Sequence, residues 1–97
     1  MRLRIITNNE IVFLHPENIV IVKTYKSKGP FVEISCVNKD VYRFTLAGTI
    51  KESERFIKDI ERLVDTLFDG ERDSYTLSLC EFGNIRFEKA SAYSYIE

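Results

Sequence analysis

One histidine, two cysteines and four isolated glycines are the residues of this chain from which chemistry could first be built. His15 stands before Pro16 in a turn-forming stretch, and one imidazole cannot complete a metal site or a catalytic triad without partners from elsewhere. An exposed turn residue is the expectation. Cys36 and Cys80 show neither CxxC spacing nor a neighbouring histidine, a pattern that argues against zinc. Both are expected inside strands as reduced, mostly buried thiols, with a bridge between them as the alternative. Gly29, Gly48, Gly70 and Gly83 each sit alone at a turn, so no phosphate-cradling loop of the P-loop or Rossmann kind is present. The carboxylate pairs Glu52 with Glu54 and Glu71 with Asp73 fall on a helix face and in a loop, where such groups are solvated rather than arranged for general acid and base work. No catalytic residue, cofactor or metal ligand is therefore assigned.

Residues that could bind are easier to find. Lys23, Lys26, Lys28, Lys39 and Arg43 gather on the strand-rich half, where residues 1–48 carry seven Lys/Arg against four Asp/Glu, a balance of +3. Residues 49–97 carry seven against eleven, a balance of −4, so the whole chain is nearly neutral at −1. The five cations either solubilise sheet edges and turns or contact phosphates. Tyr93, Tyr95 and Ile96 form an apolar cluster near the end of the sequence, suited to packing on the chain's own sheet or on a second copy.

The elements that must position these residues follow from hydrophobic periodicity. Arg2 to Thr7 and Glu10 to Leu14 read as a hairpin about Asn8 and Asn9, residues that tolerate positive φ. His15 and Pro16 end it. Ile19 to Lys26 is a third strand, apolar on both faces at Ile19, Val20, Ile21 and Val22, which predicts a central strand covered on each side. Phe31 to Val37 and Val41 to Leu46 complete a five-stranded antiparallel, curved meander. Thr49 and Glu52 have capping-box spacing, and a helix over about Ile50 to Asp69 follows, with Phe56, Ile57, Ile60, Leu63, Val64, Leu67 and Phe68 on one face. Glu54 with Lys58 and Arg55 with Asp59 stand four apart on the other face, and Gly70 suits a C-terminal cap. Tyr75 to Cys80 and Ile85 to Glu88, joined by Glu81 to Asn84, read as a closing β-hairpin.

The fold class expected is thus α+β, one domain over residues 1–97. With 44% hydrophobic and 30% charged residues the chain has ordinary globular composition. Its longest apolar stretch, Ile19 to Val22, is far too short to span a bilayer, and no secretory apolar region follows Arg2 and Arg4. A cytoplasmic address without membrane contact is the expectation.

Two resemblances add to this reading. Val12 to Ile19, reading Val-Phe-Leu-His-Pro-Glu-Asn-Ile, resembles the F-x-L-N-P-x-x-I opening of the small flagellar FlbD proteins, with the later strands and helix start in order over residues 8–64. His15 replaces the family's Asn. That resemblance implies a bacterial cytosolic accessory module without enzyme activity. More loosely, Asn18-Ile19, Phe31 to Ile34, Gly48-Thr49-Ile50 and Ile85 to Lys89 are similar to the order of LytTR-type DNA-binding domains, although Glu88 stands where that family has histidine. This second likeness implies DNA binding, with Arg86 and Lys89 as the contacting residues. The function expected from the whole is a non-catalytic, self-associating interaction module, a homodimer or a binder of a protein partner. The alternatives are a LytTR-like regulator that contacts nucleic acid and a small enzyme with a site shared between subunits.

Overall fold

The computed structural model describes residues 2–27, 29–69 and 73–90. Its strands form two sheets rather than one meander. Strand β1 (Arg2–Ile6) and strand β2 (Ile11–Leu14) make the expected antiparallel hairpin. Its turn is held by Thr7, whose Oγ1 accepts the backbone N–H groups of Asn9 and Glu10 at 3.3 and 2.9 Å. Neither Asn8 nor Asn9 takes positive φ. Among the described non-glycine residues only Lys39 does, at φ 70°.

Pro16 opens a single 3-10 turn over Pro16–Asn18, and the Asn18 N–H donates to the His15 carbonyl at 2.8 Å. That turn carries the chain off the first sheet, which is why the five expected strands do not form one meander. Strands β3 (Ile19–Tyr25), β4 (Phe31–Cys36) and β5 (Val41–Leu46) pair antiparallel in a second sheet. Gly29, at φ +69°, supplies the left-handed residue of the β3–β4 turn.

Helix α1 (Ile50–Asp69) has the expected bounds. The capping box is formed: the Glu52 N–H donates to Thr49 Oγ1 at 3.2 Å, and the Thr49 N–H donates to Glu52 Oε1 at 3.3 Å. Phe56, Ile60 and Leu63 are buried, with Leu67 packed against the same core. On the opposite face Arg55 pairs with Glu81 rather than with Asp59, because the loop after β6 comes within its reach. Gly70 lies outside the described residues.

The final strands do not form a hairpin. Strand β6 (Ser74–Ser78) joins β1 in parallel, giving the order β2-β1-β6, and β7 (Ile85–Ala90) pairs with β5, giving β3-β4-β5-β7. Between them the chain crosses from one sheet to the other. Leu79 and Phe82 are buried in this crossover; the Leu79 N–H donates to the Ile6 carbonyl at 2.7 Å, and the Ala47 N–H donates to the Asn84 carbonyl at 2.9 Å. Apolar anchoring of a segment that reads as a turn thus overrides the hairpin pattern. The core lies between the sheets: Leu3, Ile5, Val12, Leu14 and Leu77 from the first meet Val32, Ile34, Phe44 and Leu46 from the second, with α1 and Phe82 closing it. No helix among the described residues is long and apolar enough to cross a membrane.

Candidate functional site

Strand β3 departs most from expectation. It is the outer strand of its sheet, not a central one. Val20, Ile21 and Tyr25 are 61, 46 and 47% exposed, and Lys23 is the one charged residue in Ile-Val-Ile-Val-Lys-Thr-Tyr. A register shift between Ile19 and Ile21 turns Val20 out of the ladder. Two apolar faces describe what a strand needs to bury; they do not state that the same chain supplies the cover.

Sheet register disperses the expected basic cluster. Lys23, Glu33, Arg43 and Glu88 occupy one cross-strand row on the outer face of the second sheet, so charges alternate along it. Arg43 Nε donates to Glu33 Oε2 at 3.0 Å while its guanidinium covers the Phe31 ring at 4.1 Å. Lys26 pairs with Glu61 of α1, and Lys39 occupies the turn between β4 and β5 at the other end of that sheet. Lys28, Tyr93, Tyr95 and Ile96 lie outside the described residues. Of the residues tied to the DNA-binding likeness, Arg86 pairs with Glu88 at 3.3 Å, and Lys89 stands over Tyr42 and 3.9 Å from Asp40.

The exposed face of the first sheet presents a different set, assembled by register alone. His15 follows β2 on the side of the strand that carries Ile11 and Phe13. Arg4 lies between Phe13 and Thr76, and Ile6 between Ile11 and Ser78. Arg2 pairs with Ser74 one row further on, next to the end of β2. Two arginines therefore form the centre of the face, hydroxyls one side, and Phe13 and His15 the other. Phe13 is 70% exposed, and Arg4 Nη2 donates to Thr76 Oγ1 at 3.2 Å. No carboxylate of the described residues lies within 4 Å of either guanidinium. Sequence reasoning passed over this face, although the alternation of Arg2 with Arg4 and of Ile11 with Phe13 and His15 was a period-2 signal for it.

Phe13 and His15 also border a groove of about 370 Å³ between the sheets, lined further by Asn18, Val37, Asn38 and Tyr42. His15 is exposed as expected, its Nδ1 3.8 Å from Glu17 Oε1. Cys36 is buried beside the groove; desolvation, then the charge of Asp40, push its thiol pKa up against a lowering by Lys89. Cys80 is exposed in the crossover rather than buried in a strand, and both thiols are free. No cluster of three or more metal-ligating side chains occurs among the described residues. No protein-family model, curated protein or solved structure matches the chain.

Proposed function

We propose that this protein is a non-catalytic interaction module that self-associates through the free edge of β3. The carrying observation is a strand with the composition of a buried, central one placed at the edge of its sheet, with Val20, Ile21 and Tyr25 exposed. An unpaired apolar edge is a template for another strand, and natural edges are ordinarily blunted by several charges, a proline or a cover. β3 has Lys23 alone. A second copy adds antiparallel about a two-fold axis, and pairing centred on Val22 sets Lys23 opposite the partner's Ile21, which avoids like charges facing each other. The resemblance of Val12 to Ile19 to the small flagellar FlbD proteins implies a module without enzyme activity and bears on the non-catalytic part of this reading alone.

Duplex DNA contact through Lys23, Lys26, Lys39 and Arg43 has less support, because Arg43 and Lys26 are neutralised by Glu33 and Glu61 and the set spans separate parts of one sheet. Light scattering after gel filtration tests the proposal. The wild-type chain is expected to run as a dimer at about 100 μM, a concentration at which even modest interfaces are occupied. Val20→Lys with Ile21→Lys, two changes at exposed positions, is expected to yield a folded monomer. A wild-type protein that remains monomeric there removes the reading.

A further inference from the structure

We infer that the exposed face of β2-β1-β6 binds single-stranded nucleic acid, with Phe13 as a base-stacking platform and Arg2 and Arg4 as phosphate contacts. Single-strand binders combine an aromatic side chain, on whose ring a base can lie, with cations that follow the backbone. This face has both within one cross-strand neighbourhood. Arg4 is directly opposite Phe13, so the two side chains start about 5 Å apart. Arg2 stands two residues along the same strand, about 7 Å from Arg4, a spacing suited to successive phosphates of an extended strand.

Three further features favour nucleotide over a bare anion. The ring of Phe13 is 70% exposed, which leaves a flat apolar surface open to water beside two guanidiniums. Ser74, Thr76 and Ser78 line the far column, offering hydroxyls that both donate and accept, as sugar and base edges require. The adjoining groove of about 370 Å³ has the amides of Asn18 and Asn38 and the ring of Tyr42 on its walls, and its volume falls within the range of small-molecule sites. Charge works locally. The chain's net charge is −1, so no long-range field draws nucleic acid in. The carboxylates nearest in sequence, Glu10, Glu17 and Asp73, belong to the turns at the margins of the face, whereas the face itself carries arginine alone. A duplex cannot use the platform, since its bases are already stacked and paired.

The test is fluorescence anisotropy with a labelled ten-residue oligouridylate at about 0.05 M salt, oligomeric state being followed in the same samples so that self-association is scored separately. The wild-type chain is expected to saturate at or below the roughly 10⁻⁴ M limit typical of nonspecific complexes, with the logarithm of affinity falling by about 1.4 per decade of salt for two contacts. Phe13→Ala is expected to weaken binding about 5- to 150-fold, and Arg2→Gln with Arg4→Gln to weaken it at least about tenfold while flattening the salt dependence. All three positions are exposed, so melting curves of these variants are expected to match wild type. Lys58→Gln, at an exposed position of α1, is expected to leave binding unchanged. Absence of saturation at millimolar protein, equal affinity for a duplex of the same length, or Phe13→Ala binding like wild type would each overturn the inference. So would displacement of the oligouridylate by inorganic polyphosphate of equal phosphate number as readily as by unlabelled oligouridylate, since that would leave the aromatic ring without a role.

Discussion

Phe82 offers the most direct test of how the two sheets are joined. In a turn its side chain would be dispensable, yet in the structure it is 1% exposed and meets Phe56 of α1 edge to face, centroids 5.7 Å apart at 83°. Truncating a buried phenyl to a methyl removes its transfer free energy and leaves a cavity, together about 3–5 kcal/mol. Domains of this size are stable by about 5–15 kcal/mol, so Phe82→Ala is expected to consume about a fifth or more of the total. With a urea dependence of about 1–3 kcal/mol per molar, the midpoint moves down by about 2 M. Phe82→Leu keeps most of the volume and loses the aromatic edge contact, for a cost of about 1–2 kcal/mol. Combining it with Phe56→Leu separates packing from ring geometry: a double-mutant cycle is expected to show about 0.5–1.5 kcal/mol of coupling. Urea melts followed by circular dichroism measure the wild type and all four variants. A Phe82→Ala shift below about 0.5 kcal/mol, the range of an ordinary surface position, would refute the crossover as an anchor.

Thr49→Ala is expected to lower stability by about 1 kcal/mol, while Thr49→Ser, which keeps the oxygen that accepts the Glu52 N–H, changes little in the same melts. A thiol reagent at neutral pH is expected to modify Cys80 rapidly and Cys36 only on unfolding, given their exposed and buried settings; equal rates would contradict the burial of Cys36. The raised pKa of Cys36 also has a linkage consequence. The folded state favours the neutral thiol, so its contribution is complete below the ordinary thiol value and is lost as pH rises through the elevated folded pKa. Stability measured from pH 8 upward is therefore expected to fall more steeply in the wild type than in Cys36→Ala, and identical slopes would remove that assignment.

Local signals settled part of this fold before any tertiary contact was considered. Helix α1 and its capping box were legible because a 3.6-residue apolar repeat and a cap at fixed spacing are properties of consecutive residues. The strands from β1 to β5 were legible for the same reason, and so were the exposed His15 and the absence of glycine-rich phosphate motifs. Partner choice was not. The parallel union of β1 with β6 brings together residues more than seventy positions apart, and alternation in one strand carries no label for its neighbour. Ile19 to Val22 declared that they need cover on both faces, while only the assembled sheet left β3 outermost. Phe82 sits among turn-forming residues and Leu79 in the strand expected to run to Cys80, and the core drew both into the crossover because burying a phenyl and an isobutyl group outweighs the local preference for a hairpin. The basic residues clustered by number were interleaved with carboxylates or set at opposite ends of the sheet by register, and Arg43 and Lys26 were met by Glu33 and Glu61, whereas Arg2, Arg4 and Phe13, separated in sequence, became neighbours on one face. Sequence by itself determined which residues must be hidden and which backbone shapes are cheap, because those depend on short-range chemistry. Tertiary structure decided which edge stays open and which charges share a surface, because strand pairing is set by the global competition to bury one common core.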